Sequence, residues 1–166
     1  MQRMLTKLGP KPRAPRHGTK TPILPPAESS GYLTRDAHRA FQRLLEKRIA
    51  PFGVTRGQWY FLRVLWTQDG LSQRELSARV GMMEPTTVIA LRSMEKAGLI
   101  RRVRSADDRR KAQVWLTPKA RRMRDRLLLV ARGITDQAEE GISPEELAAF
   151  RHAISRMTAN LDRIKR

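Results

Sequence analysis

The 166-residue chain reads as a mainly α protein with one small β-hairpin. Three observations carry that reading. Apolar residues recur at three- and four-residue steps through most of the chain, the spacing of buried helix faces. Capping boxes, which satisfy the leading amides of a helix, stand at Thr55 with Gln58, Ser72 with Glu75, and Ser143 with Glu146. One basic stretch breaks the helical pattern. There, residues 99–104 and 111–117 read as a strand pair, with Asp107-Asp108-Arg109-Arg110 at the tip.

Residues 1–30 are a separate compositional region. Pro10, Pro12, Pro15, Pro22, Pro25 and Pro26 oppose regular structure, while Lys7, Lys11, Arg13, Arg16 and Lys20 make the segment cationic. It buries too little apolar surface to offset the entropy of ordering, so a flexible basic arm is expected. Two roles stay open for it: an inert leader, or a tail that adds phosphate affinity or clamps a partner subunit.

The folded part, 31–166, begins near Gly31. Ala37, Phe41, Leu44, Leu45 and Ile49 give a helix over about 32–50, which Pro51 and Gly53 end. Thr55 caps the next helix. Its Trp59, Tyr60, Phe61, Leu62, Val64, Leu65 and Trp66 make it apolar nearly all round, hence buried on several sides, and Asp69-Gly70 closes it. Leu71-Ser72-Gln73-Arg74-Glu75-Leu76 opens a short helix whose inner face is Leu76 and Val80 and whose end is Gly81. Pro85, whose missing N–H costs nothing at a first helical position, starts another that runs to Gly98. Two helices joined by a tight glycine-containing turn, followed by a basic hairpin, is the pattern of a winged helix-turn-helix, here about 55–117.

Thr117-Pro118 starts a long helix marked by Met123, Leu127, Val130, Ile134 and Ala138. After Ser143-Pro144-Glu145-Glu146 come Leu147, Phe150, Ile154, Met157, Leu161 and Ile164, at a period of 3.5 that suits packing along another helix. The helices at about 31–50 and 118–166 lie outside the winged lobe, and their apolar faces need cover. A second copy of the chain is the expected cover, forming a helical dimerisation region whose twofold would match palindromic DNA. Packing on one another within one subunit is the alternative.

The formal net charge is +18, from 34 Lys and Arg against 16 Asp and Glu. A polyanion is therefore the expected partner, and the winged pattern favours double-stranded DNA over RNA or a membrane surface. The absence of cysteine removes disulfides, Cys-ligated zinc and thiol switches. His17, His38 and His152 lack ligand spacing, so no metal site is expected. No apolar run approaches the ~18 residues of a membrane span, and the basic N-terminus lacks the apolar stretch of a signal peptide. A soluble cytoplasmic protein without a cofactor is expected. No nucleophile–base pair, carboxylate dyad or phosphate-binding glycine loop points to an enzyme.

On the helix after Pro85, Thr87, Ala90, Leu91 and Met94 share the inner face, which leaves Thr86, Val88, Ile89, Arg92, Ser93 and Lys96 outward. The first two turns of such a helix read bases. Thr86 suits a base edge or phosphate, Val88 and Ile89 suit thymine methyls, and Arg92 suits a guanine or phosphate. Core burial is the alternative for Val88. Gln73 and Arg74 stand where a helix N-terminus holds the backbone. Arg109 and Arg110 on the hairpin suit the minor groove, with Asp108 holding a guanidinium extended; a solvated charged turn is the alternative. Arg63 interrupts an apolar helix between Trp59 and Trp66, and His38 and Phe41 can face the same space. A cation among aromatics suits an aromatic or anionic small molecule. Alternatively, Arg63 reaches solvent with its stem over the core.

These segments resemble the MarR family of bacterial winged-helix regulators. The likeness rests on Leu71-Ser72-Gln73-Arg74-Glu75-Leu76-Ser77, Gly81-Met82-Met83-Glu84-Pro85-Thr86-Thr87, Met94-Glu95-Lys96-Ala97-Gly98-Leu99-Ile100-Arg101-Arg102 and, above all, Asp108-Arg109-Arg110-Lys111-Ala112-Gln113-Val114-Trp115-Leu116-Thr117-Pro118. It covers about Gly31 onward and leaves out the basic arm. The resemblance implies a homodimer whose first and last helices associate, with each recognition helix in the major groove and Arg110, supported by Asp108, at the minor groove. It also implies repression of transcription, released when a small anion, often a phenolic or aromatic carboxylate, binds between the dimerisation region and the DNA-binding lobe. Where many members have an arginine on the recognition helix, this chain has Ile89, so no operator carries over. The competing function is an architectural or nucleoid protein that uses the same fold with little sequence choice.

Overall fold

The computed structural model describes residues 25–104 and 112–164. The chain divides into two units, Met1–Asp36 and Ala37–Arg166. In the first, Pro26–Glu28 form a 3-10 turn, and the Arg35 guanidinium lies 4.4 Å from the centroid of the Tyr32 ring. The expected arm lies outside the described residues as far as position 24.

Helix α1 spans Ser30–Ile49 and passes into a 3-10 turn, Ala50–Phe52. Helix α2, Arg56–Thr67, is opened by the Thr55 capping box with both reciprocal bonds made. Strand β1 is Leu71–Ser72. Helix α3, Gln73–Val80, has the Ser72 capping box at its start and Gly81, in the left-handed conformation, at its end. Helix α4 is Glu84–Lys96, strands β2 and β3 are Ile100–Arg104 and Ala112–Leu116, and helices α5 and α6 are Pro118–Ala138 and Pro144–Ile164. Pro85 therefore stands second in α4, still within the turn whose amides have no helical partner. Ser143 and Glu146 complete the third box at the head of α6.

The sheet corrects one expectation. Leu71 and Ser72, which the sequence pattern puts at the opening of a helix, form a third strand. The order is β1-β3-β2, antiparallel throughout, with Leu71 opposite Val114 and Arg102 opposite Val114 on the other side. The physical reason lies just before β1. Asp69 Oδ1 accepts from the backbone N–H of Leu116, and the N–H of Gly70 donates to the Val114 carbonyl. These bonds draw the chain alongside β3 before α3 begins.

Helix α2 runs through the middle of the core, with Trp59, Phe61, Leu62 and Leu65 buried against Ile49, Leu76, Leu91, Met94, Leu116 and Leu127. Helix α6 is different, because none of its residues is buried. Leu147, Ile154 and Met157 are half-buried, while Phe150, Leu161 and Ile164 are exposed. Among the described residues, the apolar stripe of α6 is not covered within one subunit. No described helix is long and apolar enough to cross a membrane.

Candidate nucleic-acid interface and ligand cavity

Helices α3 and α4 are held by a short turn in which the Ser77 hydroxyl donates to the Met82 carbonyl at 2.5 Å. The turn needs Gly81 (φ 72°), a backbone conformation that L side chains resist. Behind the turn, Thr87, Leu91 and Met94 are buried and Ala90 is half-buried, so this face of α4 is pinned to the core. The opposite face presents Thr86, Arg92 and Lys96, with Ile89 70% exposed. Val88 is half-buried, between the two readings open to it. Met83, the residue before α4, is 76% exposed and adds a second apolar side chain at the same end. The sequence does not distinguish it from the adjacent Met82, which alone of the two packs against the core.

Ser93 is exposed, but its hydroxyl accepts from Gln58 Nε2 at 3.2 Å. Gln58 is itself buried and uses its Oε1 to accept the Thr55 N–H. One glutamine thus caps α2 and ties it to α4. At the head of α3, Ser72 Oγ accepts the Glu75 N–H, while Gln73 and Arg74 occupy the first two helical positions. Gln73 is half-buried and Arg74 exposed, at the end of the helix where the dipole is positive. At the wing, Arg102 Nε lies 3.6 Å from Glu95 Oε2, joining β2 to the last turns of α4. Asp108, Arg109 and Arg110 lie outside the described residues.

A cavity of about 150 Å³ opens between α1, α2 and α5, lined by His38, Phe41, Gln42, Leu45, Trp59, Tyr60, Arg63, Ala131, Ile134 and Thr135. Four of the five residues named for a ligand pocket, His38, Phe41, Trp59 and Arg63, meet there. Trp66 does not, because its indole N–H donates to the Ala120 carbonyl at 3.1 Å and turns the ring toward α5. It still touches Trp59 edge to face, with centroids 5.9 Å apart. The Arg63 guanidinium lies 5.8 Å from the Trp59 ring centroid. Gln42 hydrogen-bonds both His38 and Tyr60, which fixes the polar rim. Tyr60 and Arg63 also border a wider opening of about 370 Å³ with Val64, Thr67, Arg79 and Val80.

The profile described as MarR family matches residues 52–111. The HTH-type transcriptional regulator TtmR of Methylorubrum extorquens (strain PA1) is 32% identical over 91 residues, 55% of this chain and 47% of that protein. The chain thus spans about half the length of this curated relative. The solved structure of transcriptional regulator PA3341 is 31% identical, with a TM-score of 0.72 over 81% of this chain and 99% of that one. A transcriptional repressor, CouR, solved on a 23-mer DNA duplex, is 26% identical, with a TM-score of 0.73 over 80% of this chain and 94% of that one.

Proposed function

Because the chain belongs to the MarR family, we propose that it is a transcription regulator that binds double-stranded DNA as a homodimer in the cytoplasm. The observation that carries this reading is the division of α4, with Thr87, Leu91 and Met94 in the core and Thr86, Ile89 and Arg92 outward. A helix so pinned offers a rigid reading face for the major groove. Gln73 and Arg74 hold the backbone alongside it, and Val88, at the boundary, adds apolar contact. Ser93 contributes by fixing the helix to Gln58. Arg109 and Arg110, with Asp108 as support, supply the minor-groove contact. The uncovered stripe on α6 is the surface that a second copy takes, and a twofold dimer calls for a pseudo-palindromic operator.

In this reading the protein is a repressor, released by a small aromatic acid in the α1–α2–α5 cavity. Arg63 meets the carboxylate, and Trp59 and Phe41 hold the ring. At about 150 Å³ the cavity is below the ~300–1,000 Å³ of larger ligand sites, which suits a single-ring acid. Binding of benzoate that Arg63→Ala abolishes supports this role; equal binding by both proteins removes it.

The deciding experiment is selection of bound duplexes from a random library at near-physiological salt. Enrichment of a palindrome with half-sites about one helical turn apart is expected. Binding without enrichment overturns the reading in favour of an architectural protein, because specific binders gain ~10³–10⁷ over nonspecific DNA.

A further inference from the structure

Helix α5 carries its charge unevenly around its axis. On one flank, Arg121 pairs with Asp69 and Arg132 with Asp136, each at 2.7 Å, and Asp125 lies between them, 3.3 Å from Arg124. The other flank is Lys119, Arg122 and Arg126, at steps of three and four residues. These three side chains are exposed, and no described carboxylate is in ion-pair contact with Arg122 or Arg126. Farther along that flank come Leu129, which is 72% exposed, and then Gly133 and Gln137, all neutral.

The cationic flank is fixed at its α4 end, where Lys119 Nζ donates to the Ala97 carbonyl at 2.9 Å. Farther along α5, beyond the cations, Arg48 of α1 donates to Gln137 at 2.7 Å. Beyond Lys119 the positive surface continues onto α4 itself, where Lys96 and Arg92 are exposed. Cations therefore run from the reading helix up the side of α5. At a rise of ~1.5 Å per residue, positions 119 and 126 are about 10 Å apart. That is close to the ~8–10 Å screening length at moderate salt, so the three charges act together on a dense line of phosphates.

We propose that the Lys119, Arg122 and Arg126 flank of α5 is a second DNA-backbone contact, which takes phosphates outside the segment read by α4. It rests on the reading of the chain as a DNA-binding protein and adds affinity without sequence choice.

The test is the salt dependence of binding to two duplexes. One is the minimal site from the selection, and the other is the same site lengthened by about one helical turn at each end. The variant is Arg122→Gln with Arg126→Gln, leaving Lys119 to hold α4. For the full-length protein, log K against log salt is steeper on the long duplex. The variant loses about 1.8 units of that slope per protomer, at ~0.9 per phosphate, on the long duplex only. Unchanged melting temperature and unchanged binding to the minimal site show that fold and reading face are intact. Identical slopes for variant and wild type on the long duplex overturn the proposal, as does an equal loss on both duplexes. A wild-type protein that binds neither duplex overturns the DNA-binding reading, and this surface with it.

Discussion

Thr87 is the polar residue that α4 turns wholly into the core, and its Oγ1 has no hydrogen-bond partner among the described residues. A buried hydroxyl without a partner costs about 1–3 kcal/mol, and valine has nearly the same shape. Thr87→Val is therefore expected to leave stability unchanged or raise it by up to about 2 kcal/mol. A loss on chemical denaturation would show that the hydroxyl has a partner after all. Gly70 makes the opposite demand. Its φ is 74°, and an added Cβ would stand 2.6 Å from the Trp115 ring, whereas Gly53, at φ 69°, has nothing within 4 Å of such an atom. The left-handed backbone costs an L residue about 1–2 kcal/mol at either position. Gly70→Ala also displaces an indole, so it is expected to lower the urea midpoint clearly more than Gly53→Ala; equal shifts would dismiss the steric account. The sequence marks Asp69-Gly70 as the end of a helix. It does not show that Trp115, far along the chain, lies against the glycine.

At the scale of elements, the helices that capping boxes mark at Thr55, Ser72 and Ser143 begin at those boxes, because each box is a local arrangement among four residues. The two boxes that contain a glutamate carry a pH dependence. The Ser72 hydroxyl and then its backbone N–H hold the Glu75 carboxyl below its ordinary 4.5, with the charge of Arg79 adding and burial opposing. Glu146 is lowered likewise, first by the Ser143 N–H and then by its hydroxyl. A depressed carboxyl stabilises the fold fully above about pH 4.5 and loses that effect as pH falls through its lowered value. Thermal stability of the wild type is thus expected to fall more steeply on acidification below about pH 4.5 than that of Glu75→Gln. Matching profiles would remove Glu75 from the account. Strand β1 was not legible for the converse reason. Two residues have no periodicity, and their partners, Val114 and Gln113, are remote in sequence. Trp66 and Gln58 share that limit: one turns away from the cavity toward Ala120, and the other reaches Ser93, each through a contact between distant segments.

For the whole molecule, the decisive surface is the one that α6 leaves uncovered. Phe150 and Leu161 are each 61% exposed, and they lie on one stripe of the helix. In the proposed dimer, a glutamate at Leu161 would face the partner's stripe, unpaired and desolvated. Leu161→Glu is expected to convert a dimer to monomers in sedimentation, while His152→Glu, off the stripe, leaves the dimer intact. A dimer that survives Leu161→Glu would place the interface elsewhere. Operator affinity should fall with dimerisation, since two half-sites are then no longer held together. The capping box at Ser143 and Glu146 bears on what such a dimer would cost to form. Starting a helix is its costly step, and α6 has that step supported by its own residues rather than by burial. In the proposed dimer, a subunit thus brings its partner a helix whose first turn is already capped, which lowers the ordering cost that association must meet.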